Sequence, residues 1–291
     1  MKYFSKEFYD FTYKVKEPTT VRAFLKKVGF SSRFTREISL GFGVYVNRML
    51  SITNGPLYPG DVVGVVLPEE KSSVTPYPKG IDIYYEDSDY IVLRKPSGIS
   101  THPAPGTGPD TLSSRLAHYY RQTDQKRKIR PVTRLDKDTS GLVVFAKHSP
   151  AQEHLQRQQR SGRFIKKYVA KTMEAPLQRQ GRIEENILWD QESQMAQIDD
   201  KGKVAITEYE VFPKDDGYVW KCTLLTGRTH QIRIHLQHLG CPIVGDKKYQ
   251  GILGEKMELH CYYVSFVGWG GEKEIAIYAV PKDEGLCMGK N

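Results

Sequence analysis

Apolar residues in this chain recur first at helical spacing. Val21, Phe24, Leu25 and Val28 share one helical face, Gly29 stands where that helix can be capped, and Ser31 or Ser32 can start a second helix running towards Leu40. The pattern then shortens to β-prone runs. Val44 to Asn47 and Val62 to Val66 read as strands, separated by the turn signals Asn54-Gly55 and Pro59-Gly60-Asp61. The tract from Glu69 to Gly80 has the Ser, Pro and Gly content of a linker. Beyond it, Ile81 to Tyr85, Tyr90 to Leu93, Leu142 to Ala146 and residues 217 to 225 read as strands. Helices are expected from Thr111 to Arg121, from Pro150 to about Arg160, and from near Thr229, where Ile232, His235, Leu236 and Leu239 share a face. Strand and helix do not alternate strictly. The expected fold is therefore α+β, a large mixed and mostly antiparallel sheet with flanking helices, preceded by a small domain; the boundary divides the chain into residues 1–75 and 76–291.

Composition narrows the partner. With 43 Lys and Arg against 34 Asp and Glu, the chain carries a formal charge of +9, and basic side chains gain free energy by displacing counterions from a polyanion. The four cysteines, Cys222, Cys241, Cys261 and Cys287, form no CxxC pair, so neither a zinc ribbon nor a disulfide scaffold is indicated. No run approaches the ~20 apolar residues of a membrane span, and the N-terminus lacks a signal-peptide core. The expectation is a cytoplasmic protein without membrane partners.

The densest chemistry lies between Arg134 and Leu142. Two carboxylates, two cations and two hydroxyls fall within seven residues just before an apolar strand, as in a loop that presents side chains at a sheet edge. Composition leaves a plain polar turn equally open.

The string RLDKDTSGLVVFAK resembles the defining motif of the RluA/RluD-type pseudouridine synthases, enzymes that isomerise uridine within RNA. Residues 83 to 103, 163 to 172 and 224 to 249 resemble three further blocks of that family, in the family's order. The resemblance implies that Asp136 is the catalytic aspartate, that Arg233 pairs with it, and that Tyr168 stacks on the target base. Such stacking contributes roughly 1–3 kcal/mol per base. It also implies that Arg134 fills the gap left by the extruded uridine. Leu135, Thr139, Arg228, His230 and Gln231, from the same blocks, are expected at the substrate site. Asp138, Thr139 and Ser140 are expected to shape the loop rather than react. Thr133 departs from the family, standing where many relatives carry histidine, so no role is carried over to it.

The N-terminal order of helix, helix and strand, with Tyr45-Val46-Asn47 followed by Pro59-Gly60-Asp61, resembles the S4 RNA-binding domain. Arg22, Lys26, Arg33, Arg36 and Arg48 would then face phosphates, although charges on small helices are as often merely solvated. Residues 121 to 134 and 154 to 172 each contain six Lys or Arg and suggest an RNA-tracking groove.

No metal is expected. The spacings of His230, His235, His238, Cys241 and His260 fit neither HExxH nor a C2H2 finger. No cofactor is expected either, since isomerising uridine needs no redox equivalent or group donor. The partner is expected to be RNA, ribosomal first and transfer RNA second, bound by a monomer. The rivals are a non-catalytic RNA-binding protein and a glycoside-type hydrolase pairing Asp136 with Asp138 or Asp246.

Overall fold

The computed structural model describes residues 9–41, 43–52, 54–251, 254–271, 273–281 and 286; Phe42 of the Gly41-Phe42-Gly43 sequence and Cys287 lie outside them. The N-terminal part comprises β1 (Phe11–Lys14), β2 (Thr19–Thr20), α1 (Val21–Lys27), α2 (Ser32–Leu40), β3 (Val44–Val46), β4 (Met49–Leu50), β5 (Pro56–Leu57) and β6 (Val62–Val65). Both helices start on side-chain caps. Thr20 accepts the Ala23 amide and Ser31 accepts the Phe34 amide, satisfying donors that a first turn leaves open. Between the helices the chain turns at Gly29 with φ +109°, a conformation that side chains resist. Val21, Phe24, Leu25, Phe34 and Ile38 bury against Val63 and Val65, one core separate from the rest of the molecule except at its edge.

The strands pair in the order β1-β6-β3-β4. β1 is absent from the hydrophobic reading because its residues alternate between half-buried and exposed. The Tyr-Val-Asn and Pro-Gly-Asp signatures meet in space: the Asn47 side chain donates to Asp61 and accepts the Val62 amide, while Asp61 also accepts the Tyr58 amide. The Tyr58 amide and the Asn47 side chain hold the Asp61 carboxyl below its ordinary pKa.

The larger part comprises β7 (Asp82–Glu86), β8 (Tyr90–Lys95), α3 (Leu112–Gln122), β9 (Ser140–Ala146), α4 (Ser149–Arg160), β10 (Ile165–Thr172), β11 (Gln180–Asp190), β12 (Met195–Ile198), β13 (Lys203–Lys214), β14 (Gly217–Leu224), α5 (Gln231–His238), β15 (Leu259–Val267) and β16 (Glu274–Tyr278). Its strands form a ten-stranded sheet in the order β12-β11-β13-β14-β10-β15-β9-β8-β7, with β16 beside β15. Among the described pairings only β9 with β15 is parallel, so the sheet is mixed and mostly antiparallel, as expected. Strands β8 and β9 are buried almost throughout, and α4 packs over β9 and β15.

The tract from Glu69 to Gly80 is not a free tether. Glu69 pairs with Lys126, Glu70 with Arg130, and the Tyr77 amide donates to the Ser114 carbonyl, which straps it along the larger part. Trp269, in the turn after β15, packs against both cores. Its ring lies 5.3 Å from Phe30 and 5.9 Å from Phe11, and 3.3 Å from where a Cβ on Gly29 would stand.

Candidate active site

The segment from Pro131 to Thr139 crosses the sheet edge as an irregular loop and is held from both sides. Thr101 Oγ1 accepts the Leu135 amide at 3.1 Å and donates to the Leu135 carbonyl at 2.9 Å, pinning the residue before Asp136. From the end of β8, Lys95 is fully buried and donates to the carbonyls of Pro96, Ile99 and Lys137 at 2.8 to 3.0 Å. Burial pushes its ammonium down to about 7, with Asp136 and Asp138 pulling the other way. The loop closes at Gly141, where φ is +119° and a Cβ would lie 2.3 Å from the Cys261 carbonyl oxygen. Only glycine lets β9 meet β15 there, and Ser140 Oγ and His260 Nδ1 bond beside it at 2.7 Å.

Asp136 lines a cavity of about 780 Å³ together with Arg134, Leu135, Thr139, Tyr168, Arg228, His230, Gln231 and Arg233. Every residue expected at the catalytic and substrate site therefore converges on one cavity. Arg233 Nη1 donates to Asp136 Oδ2 at 3.3 Å. The guanidinium is itself fixed by Asp246, which accepts from Nε and Nη2 at 2.7 Å each in a two-point clamp. Burial works to lower the Arg233 pKa, but hydrogen bonding and charge from Asp246, then Asp136, raise it overall. Asp246 is buried and also accepts the Lys248 and Tyr249 amides. It has no free oxygen for acid-base work, which removes it as the second carboxylate of a hydrolase. Asp138 is exposed and does not line the cavity.

His230 approaches Asp136 from the other side, its Nε2 3.8 Å from Oδ2. The Tyr249 oxygen accepts the Ala196 amide at 2.7 Å, and its hydroxyl is hydrogen-bonded to His230 Nδ1 at 2.8 Å. Burial lowers the His230 pKa to about 4, so the ring is neutral near pH 7. His230 adopts φ +56° and meets the Trp189 ring edge-on at 5.2 Å.

Tyr168 is buried on β10. Burial raises its phenol well above the ordinary value, so at neutral pH it offers a ring and a hydroxyl, not a phenolate. Arg134 is exposed at the cavity wall. Thr139 Oγ1 is buried with no hydrogen-bond partner among the described residues. Gln231 is saturated: its oxygen accepts from Thr226 and the Arg228 amide, and its amide donates to Ile206 and Thr207, so it braces the 226–230 segment.

Several expectations are corrected. The basic tract 121–134 is open only in part: Lys126, Arg127 and Arg130 pair with Glu69, Asp10 and Glu70, while Arg121, Lys128 and Arg134 are exposed. In the second tract Arg157 donates to the Gly29 carbonyl and Lys171 pairs with Asp216. His235 is buried against Thr207 Oγ1, while the His238 side chain is 46% exposed, 3.7 Å from Glu185, because α5 is enclosed by β11, β12 and β13. Arg22, Lys26, Arg33, Arg36 and Arg48 are all exposed and form no ion pair among the described residues. Lys95, Thr101, Trp189 and Tyr249 were not anticipated. Only Lys95 carried a signal, a charge at the end of an otherwise apolar strand.

Residues 89–238 match the family model described as RNA pseudouridylate synthase. An uncharacterized RNA pseudouridine synthase of Bacillus subtilis, YlyB, is 39% identical over 212 residues, covering 71% of this chain and 70% of that protein. Ribosomal large subunit pseudouridine synthase D of Xylella fastidiosa is 36% identical over 225 residues, covering 76% and 67%. Among solved structures, human RNA pseudouridylate synthase domain containing 1 superposes with a TM-score of 0.58 at 23% identity, covering 73% of this chain and 86% of that one, and bears out the fold.

Proposed function

The chain belongs to the RluA/RluD-type RNA pseudouridylate synthases, isomerases acting on RNA, and from that premise we propose that Asp136 drives the isomerisation of one or a few uridines in large-subunit ribosomal RNA. The observation that carries this reading is the position of Asp136. Its carboxylate lines the cavity beside Tyr168, one oxygen held by a guanidinium that Asp246 has already immobilised. A carboxylate oriented in this way can act at the ribose of an extruded nucleotide without reorganising its surroundings.

The base enters against the Tyr168 ring, and Arg134, exposed at the cavity wall, fills the vacated stack. Thr139 lines the wall, its hydroxyl buried without a partner among the described residues. Asp136 promotes cleavage of the N1–C1′ bond, the uracil turns within the cavity, and C5 bonds to C1′. The C5 proton is released and N1 ends protonated, so atoms balance without a cofactor. All these side chains come from one chain, which supports action as a monomer. Residues 1–75, with their own core and the exposed Arg22, Lys26, Arg33, Arg36 and Arg48, are proposed as an S4-like unit that docks the RNA through phosphates.

The ribosomal target rests on the Xylella relative, a protein named as a ribosomal large subunit pseudouridine synthase. The test maps pseudouridine in ribosomal and transfer RNA from cells lacking the chain, complemented with the native protein or Asp136→Asn. Loss of sites in large-subunit RNA, restored by the native chain alone, is the expected result. Loss confined to transfer RNA would move the target, and no loss anywhere would favour a non-catalytic RNA-binding protein.

A further inference from the structure

Two neighbouring lysines on β10 have opposite surroundings. Successive residues of a strand point to opposite faces, so Lys166 shares its face with Tyr168 and Lys167 does not. Lys167 stands 5.4 Å over the Tyr263 ring, a cation with an aromatic partner. Lys166 lines the same cavity as Asp136 and Tyr168, yet among the described residues no hydrogen-bond acceptor and no carboxylate takes its ammonium. It lies against Gly227, where a Cβ would stand 3.2 Å from Lys166 Nζ. The ammonium therefore sits against the 226–230 segment that carries Arg228 and His230. Burial lowers its pKa, as expected for a charge kept from water without a counterion.

We propose that Lys166 binds a backbone phosphate flanking the extruded uridine and so sets how deeply the nucleotide enters. The proposal rests on the pseudouridine-synthase reading above. An uncompensated cation in a substrate cavity calls for an anion, and the anion that every extruded nucleotide carries with it is its phosphodiester. The base itself is neutral, and the reacting end of the cavity already holds the pair of Asp136 and Arg233. Lysine suits this task because it binds phosphate as a point charge.

The experiment is a cycle between protein and substrate. The substrate is a synthetic hairpin copying the RNA segment identified by the mapping above, made with ordinary phosphates or with a neutral methylphosphonate on the 5′ or the 3′ side of the target uridine. Native chain, Lys166→Met, Lys166→Gln and Lys166→Arg are compared by kcat and KM. Losing one charge-assisted contact should lower kcat/KM by roughly 10- to 100-fold, mostly through KM, in both neutral variants, with Lys166→Arg recovering much of it. On one of the two methylphosphonate RNAs the native chain should fall by a similar factor and the neutral variants should fall no further. If the penalty of Lys166→Met and Lys166→Gln stays the same on both methylphosphonate RNAs, or lies in kcat alone, the phosphate assignment is overturned. Failure of the native chain to convert the unmodified hairpin would instead strike the functional reading. Replacing an unpaired, half-buried cation is not expected to unfold the protein, and Lys166→Gln guards against a packing effect peculiar to Met.

Discussion

Arg233 touches two carboxylates, and the distances rank them. Asp246 holds Nε and Nη2 at 2.7 Å, which fixes the plane of the guanidinium and leaves Nη1 aimed at Asp136, 3.3 Å away. A lysine ammonium cannot span both acids. Arg233→Lys should therefore leave Asp246 incompletely paired and destabilise the fold by about 2–4 kcal/mol, as expected for a disrupted buried pair. It should also slow single-turnover pseudouridine formation by roughly 100-fold or more, the scale of losing an oriented electrostatic contact. Urea unfolding and single-turnover rates check the two effects separately; a rate within threefold of native would show that Asp136 does not depend on this contact. From the sequence, Arg233 was legible only through resemblance. Helical periodicity marked Ile232, His235 and Leu236, whereas α5 buries Gln231 to Leu236 without a polar face, so amphipathic spacing could not separate a buried arginine from a surface one.

At the scale of elements, the loop that carries Asp136 depends on the end of β8. Lys95 donates to three carbonyls, one of them Lys137, the neighbour of Asp136. Lys95→Met removes those donors and should cost about 2–4 kcal/mol at pH 7 while loosening the loop. The pH dependence has a definite sign. The folded pKa of about 7 lies below the unfolded value near 10.4. Between these values the unfolded chain binds a proton that the folded chain has released, so this group's contribution to stability grows as pH rises from about 7 to about 10. Urea unfolding at pH 6, 7, 8 and 9 should show the native chain gaining on Lys95→Met by up to about 1.4 kcal/mol per unit; a constant difference would mean that Lys95 titrates normally. Short apolar strands such as β8 and β9 were legible because both their faces are buried. The long hairpin of β11 and β13 was missed. In β13 the inward positions Ala205, Thr207, Tyr209 and Val211 alternate with Ile206, Glu208, Glu210 and Phe212, and the small or hydroxyl-bearing residues inside, with Ile206 and Phe212 outside, blur that alternation.

Across the whole molecule, the two parts are coupled by a residue from neither end's motifs. Trp269 joins both cores, bonds Tyr13, and closes an aromatic cluster with Phe11, Phe30 and His148. The N-terminal part alone is small and near the lower limit of independent stability. Trp269→Ala should split thermal unfolding by calorimetry into two transitions, the N-terminal unit melting first; a single transition at the native temperature would show that the coupling lies elsewhere. Separate cores and the α+β class could be read from the order of helical and strand-like runs. The strap of 69–80 could not, because its contacts include ion pairs to Lys126 and Arg130, distant in sequence. The central claim concerns Asp136. Forming a C5–C1′ bond expels the C5 hydrogen, so large-subunit ribosomal RNA transcribed with tritium at uridine C5 releases label to water only when isomerisation occurs. Purified native chain should release tritium with no added cofactor, and Asp136→Asn should bind the same RNA yet release it at least about 1,000-fold more slowly. Release by Asp136→Asn at the native rate would contradict the account.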